Sequence, residues 1–164
     1  MPLFEKIRGW LRSRKKRGPH LIVGWQKVVG EKPRDFRIVF SVSEHSLADW
    51  VESPLRIGRE SDVEKNHVEV GHAPLTEGVS KKQWLVQMPE HGRVYLTDRG
   101  SARGTHLNGR RIVPPRKEHT IELAHGDVAS TAGGVLCAVL DLNGSLARLK
   151  DTDSFKRYVE QRTV

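Results

Sequence analysis

The sequence predicts an all-β fold, a sandwich or barrel of short strands with a short helix at each end. Three observations carry this. Apolar residues alternate with polar ones in short runs, turn formers separate many of those runs, and residues 20–142 contain no helical pattern between them. The chain has 164 residues and 18.6 kDa, the size of one domain with attachments. Its longest apolar run is Val135-Leu136-Cys137-Ala138-Val139-Leu140. That is far short of the roughly 20 residues a membrane-spanning helix needs.

Residues 1–18 form a basic amphipathic segment. Leu3, Phe4, Ile7, Trp10, Leu11 and Arg14 follow helical spacing, and Gly18-Pro19 ends the pattern. This segment holds seven basic residues and one acid, a net of +6 out of the chain's +8, so the other 146 residues carry only +2. Its apolar stripe suits first docking on the protein's own core or fraying in solvent, then an anionic membrane surface, and after these a nucleic-acid arm or an organellar import signal. A secretory signal is not expected, because arginines and lysines interrupt the apolar residues.

From His20 the period becomes strand-like. Phe36, Ile38, Phe40 and Val42 alternate with Arg37, Val39 and Ser41. Further strands are predicted at 21–29, 55–59, 66–70, 83–88, 93–97, 105–107, 111–113, 119–123, 127–131 and 134–142. Asn108-Gly109 reads as a two-residue hairpin turn, since both central positions of a type I′ turn need positive φ. Cys137, the only cysteine, reads as strand core, excludes an internal disulfide and fits a reducing compartment. Residues 143–164 form a tail in which Leu146, Leu149, Phe155, Tyr158 and Val159 have helical spacing around an Asp151-Thr152-Asp153 capping cluster.

Three segments recur at meaningful spacing: Ile57-Gly58-Arg59-Glu60, then Val79-Ser80-Lys81-Lys82-Gln83, then Leu96-Thr97-Asp98-Arg99-Gly100-Ser101-Ala102-Arg103-Gly104-Thr105-His106-Leu107-Asn108-Gly109. Followed by Ile121–Val128 and a terminal apolar strand, they resemble the forkhead-associated (FHA) domain family, over residues 36–142 of the unit 20–142. The resemblance implies a two-sheet antiparallel β-sandwich of eleven strands, whose loops at one end bind a phosphothreonine peptide. A phosphate near −2 charge needs cationic, hydroxyl and backbone N–H donors converging from rigid strand ends. On that resemblance, Arg59 orients the loop or contacts the phosphopeptide, Ser80 donates its hydroxyl to phosphate, and Lys81 adds a further contact. Gly58, Gly104, Thr105, Asn108 and Gly109 serve structure, the last four as turn makers more than contacts.

This chain also departs from the family pattern. Gln83 stands where the family usually has a loop-bracing histidine, and can still donate and accept. Arg103 replaces an asparagine that hydrogen-bonds the peptide backbone; arginine has no acceptor. Ala102 lacks a hydroxyl found in some members. Residues 62–78 form an insert, and Glu60, Asp62, Glu64, Glu69 and Glu77 gather in and around it, a solvated loop or a shield for the basic pocket.

His67, Glu69 and His72 lack the spacing of a known metal-ligand set, so no metal or other cofactor is expected. The sequence has no G-x-S-x-G, phosphate-loop or H-E-x-x-H motif, and enzymatic activity is not expected. The first expectation is therefore a cytoplasmic phosphothreonine-binding signalling adaptor. The alternative is a degenerate scaffold subunit that binds partners independently of phosphate, recruited to a membrane surface by its basic N-terminus. Thr152, flanked by two aspartates, further suggests a modification site through which copies could associate.

Overall fold

The computed structural model describes residues 3, 5, 6, 18–29, 37–59, 65–70, 79–90 and 92–163, with only the backbone at 27–29 and 37–40. Most of the N-terminal amphipathic stripe lies outside the described residues, although Leu3, Glu5 and Lys6 are helical. So does most of the acidic insert.

Eleven strands are described: β1 (His20–Val29), β2 (Arg37–Ser46), β3 (Leu55–Gly58), β4 (Val68–Glu69), β5 (Trp84–Glu90), β6 (Arg93–Arg99), β7 (Thr105–Leu107), β8 (Arg110–Val113), β9 (Glu118–Leu123), β10 (Val128–Ser130) and β11 (Leu136–Asp141). They form a six-stranded sheet in the order β2-β1-β11-β10-β7-β8 and a five-stranded sheet in the order β4-β3-β5-β6-β9. The pairings are antiparallel except for β3 with β4. The protein is an all-β, two-sheet sandwich.

Strand alternation decides what fills the space between the sheets. Leu21, Val23, Leu136, Ala138 and Leu140 from one sheet meet Leu55, Ile57, Trp84, Val86, Val94 and Leu96 from the other in one core cluster. The intervening residues Ile22, Cys137 and Val139 face outward with Val128, and Phe155 and Val159 of helix α1 (Asp153–Glu160) cover them. This explains why β11 is buried along its whole length. Cys137 sits in that covered layer, its thiol donating to Gly24 O at 3.3 Å. Burial pushes its pKa up to about 12.

The boundaries differ from the sequence reading where a partner or a turn intervenes. β2 continues past residue 42 to Ser46 because β1 supplies a partner for every residue down to His20, opposite Ser46. β11 begins at Leu136 rather than 134, since Gly133 and Gly134 take φ of 74° and 68° in a short 3-10 turn. β4 shrinks to two residues. The periodicity does not indicate the 3-10 turn at Leu47–Trp50, which buries Leu47.

The C-terminal helix is also shorter than its apolar spacing suggests. Leu146 and Leu149 lie outside it, in a separate turn organised by the fully buried Asp141. One Asp141 oxygen accepts from Asn143 and Gly144 N–H, the other from Leu146 and Ala147 N–H. The α1 helix begins only after this, with Thr152 as N-cap accepting from Phe155 N–H.

Candidate functional site

The ends of β3, β5 and β6 meet at three loops, and short hydrogen bonds tie these together. Gly58 ends β3 and lets the second loop approach: a Cβ there would stand 2.3 Å from Lys81 O and 3.0 Å from Ser80 O. Arg59 N–H then donates to Ser80 O at 3.0 Å. The Asn66 amide spans both loops, donating at 2.8 Å to Arg59 O and at 2.8 Å to Lys81 O. Gln83, fully buried, accepts from Ser80 N–H at 2.9 Å, the bracing position named from the sequence.

The third loop joins through Ser80. Its Oγ accepts from Ala102 N–H at 3.0 Å, which leaves the hydroxyl proton to donate elsewhere. Ala102 thus contributes its backbone, and the missing hydroxyl is immaterial to that bond. Ser80 and Arg59 are partly buried, whereas Lys81, Ala102 and Arg103 are exposed. The arrangement therefore places a hydroxyl donor among loops carrying Arg59, Lys81, Lys82 and Arg103. Such a cluster suits an anion.

Beneath the third loop lies a buried polar network. Asp98, fully buried, accepts from Ser101 N–H at 2.7 Å, from Ser101 Oγ at 2.8 Å and from the Thr105 hydroxyl. Thr105 Oγ1 in turn accepts from Trp84 Nε1 at 2.8 Å, and Ser101 Oγ accepts from Gly104 N–H at 3.1 Å. The reading of Thr105 as a turn maker is thereby corrected: its side chain is a buried relay between a core indole and a carboxylate. Gly104 does make the turn, with φ 79° and Val113 O only 2.1 Å from where its Cβ would be. Asn108 and Gly109 turn the β7–β8 hairpin with φ of 49° and 83°. Asn108 adds a brace, its Oδ1 accepting from Val128 N–H and its Nδ2 donating to Asp127.

The sequence reading missed Asn66, Asp98 and Ser101 as positioning residues. Asp98 and Ser101 carry a signal in their spacing, a carboxylate three residues before a serine in a glycine-rich stretch, typical of side chains that cap backbone turns. Asn66 carries none, because its bonds cross from one loop to another. His67 is engaged elsewhere: Nδ1 accepts from Arg56 N–H at 2.9 Å and the ring lies 4.3 Å from that of Trp50.

The structure is thus a β-sandwich with hydrogen-bond donors gathered on loops at its strand ends. Residues 55–129 match the family model described as FHA domain. Among solved structures the chain is similar to the N-terminal FHA domain of Rad53p from S. cerevisiae in complex with a phosphothreonine peptide, at 18% identity and a TM-score of 0.49 over 81% of this chain and 98% of that one. It is also similar to the FHA domain of the CT664 protein from Chlamydia trachomatis, at 18% identity and a TM-score of 0.48 over 76% of this chain and 97% of that one. No curated protein matches the chain.

Proposed function

We propose that this protein is a non-catalytic phosphothreonine-peptide recognition module that acts as a signalling adaptor. FHA domains, whose family model residues 55–129 match, bind phosphothreonine peptides in signalling. The observation that carries the reading in this chain is the state of Ser80. Its oxygen is occupied by Ala102 N–H, so its proton serves an acceptor from outside, beside the backbone of Arg59 and Lys81. Arg59 and Lys81 supply charge to the phosphate, and Arg103 donates to a peptide carbonyl or to phosphate. Each charge-assisted hydrogen bond contributes about 1.5–3 kcal/mol.

Titrating a phosphothreonine peptide library by fluorescence anisotropy tests this. Phosphothreonine peptides should bind, their unphosphorylated and phosphoserine versions much more weakly, and Arg59→Ala and Ser80→Ala should each weaken binding about tenfold or more. A library with no phosphate-dependent signal would retire the reading.

One observation favours a second reading, a scaffold that binds partners without phosphate. Arg103 offers no acceptor to a peptide N–H. In that case Arg59→Ala leaves partner binding intact, while removing residues 1–18 or 143–164 abolishes it. Cytoplasmic location and a membrane or nucleic-acid role for residues 1–18 belong to the same proposal, and liposome co-sedimentation beside salt-dependent oligonucleotide binding separates those roles.

A further inference from the structure

Residues 99–117 contain Arg99, Arg103, Arg110, Arg111, Arg116 and Lys117 and no Asp or Glu. Outside this stretch and residues 1–18, acids outnumber bases. The small net charge of residues 19–164 is therefore an average over unlike surfaces.

The fold sets the basic stretch beside the Ser80 cluster. Arg116 N–H donates to Ser101 O at 2.7 Å, and Val113 O and Pro114 press against the Cα of Gly104. The loop at 114–117 thus lies against the loop carrying Arg103, whose neighbour Ala102 is bonded to Ser80. Arg116 holds a φ of 60°, a left-handed turn that fixes where two consecutive cations stand. Arg103, Arg110, Arg111, Arg116 and Lys117 are all exposed. A shallow depression of about 280 Å³, lined by Ile112, Pro114, Lys117, Glu118 and His119, borders the loop and offers apolar walls beside Lys117. On the hairpin, His106 lies opposite Arg111, and its pKa is lowered by burial and then by that positive charge.

Single exposed cations gain little, because salt screens them. Several on one flank of an anchored ligand act together, and the peptide that covers them displaces water and strengthens each. We propose that this flank is a second anion-binding surface, which reads further negative charge, carboxylate or phosphate, on the same peptide that the loop cluster anchors. The inference takes its anchor from the phosphothreonine reading, and the experiment separates the two.

The full chain is titrated with a phosphothreonine peptide of neutral flanks, with versions carrying Asp/Glu on either flank, and with a doubly phosphorylated version, at low and high salt. The acidic and doubly phosphorylated peptides should bind about tenfold more tightly than the neutral one at low salt, and the gain should shrink as salt rises. The double variant Arg116→Gln/Lys117→Gln should lose most of that gain while keeping its melting temperature and its affinity for the neutral peptide. Comparing the carboxylate and phosphate arms shows which anion is preferred. No gain from acidic flanks, or an equal loss for neutral and acidic peptides in the variant, overturns the inference.

Failure of the neutral phosphothreonine peptide alone counts against the anchor reading. An unphosphorylated acidic peptide then decides the flank: binding that depends on Arg116 and Lys117 supports the surface, and its absence overturns it. A single-stranded oligonucleotide that outcompetes an acidic peptide of equal charge overturns a peptide as the occupant.

Discussion

Gly58 shows how closely single residues set the site. Because Lys81 O and Ser80 O occupy the space a side chain would need, Gly58→Ala forces the second loop away from β3. Overpacking of this kind costs about 1–3 kcal/mol, so the melting temperature and phosphopeptide affinity should fall together. Asn66→Ala differs in kind: it releases the carbonyls of Arg59 and Lys81, worth about 0.5–1.5 kcal/mol per bond, and should weaken binding more than it lowers stability. Calorimetry on both variants distinguishes the two patterns. Legibility at this scale follows the range of the interaction. The positions of Gly58, Ser80 and Gln83 were readable from motif spacing, whereas the role of Asn66, fixed by atoms 7 and 15 residues away, was not.

At the scale of elements, strands such as β5 and β6 were legible because half-buried strands alternate, whereas β11, buried on both faces, was legible as an unbroken apolar run behind a glycine pair. The C-terminal tail was only partly so. Leu146 and Leu149 share helical spacing with Phe155 and Val159, yet Asp141 diverts the chain into a turn before the helix starts. A buried acid that captures four N–H groups leaves no trace in an apolar pattern. The cap is local and was readable: Thr152→Ala should cost about 0.5–2 kcal/mol, measured by urea denaturation. Removing residues 152–164 uncovers Ile22, Val128, Cys137 and Val139. Cys137 should be inert to thiol reagents at neutral pH in the intact protein and react within minutes after the truncation, read with a chromogenic disulfide.

The whole molecule responds to pH through groups that burial perturbs. The pKa of His45 is lowered mainly by desolvation, with nearby His67 adding to the effect and Glu44 opposing it, and the pKa of His106 is lowered by burial and Arg111. Both favour the neutral ring in the folded state. Below the usual value of 6.5 the unfolded chain therefore binds more protons, and stability present above 6.5 declines as pH falls. Urea midpoints should drop between neutral and mildly acidic pH, and His45→Gln with His106→Gln should flatten the drop. At the alkaline end the sign reverses. The Cys137 pKa is raised from 9.0 to about 12, so stability is lost as pH climbs through that window, and Cys137→Ala should remove the dependence. Net charge, by contrast, was misleading at this scale, because a sum over the folded body hides where the cations gather.

The indole of Trp84 is sealed in the core, yet one hydroxyl and one carboxylate connect it to the loop that carries Arg103. That linkage makes the protein its own optical probe. In a variant whose other tryptophans, Trp10, Trp25 and Trp50, are replaced by phenylalanine, emission from Trp84 should change in intensity when a guest docks on the rim, and replacing Thr105 with valine should silence the signal while leaving the lamp in place.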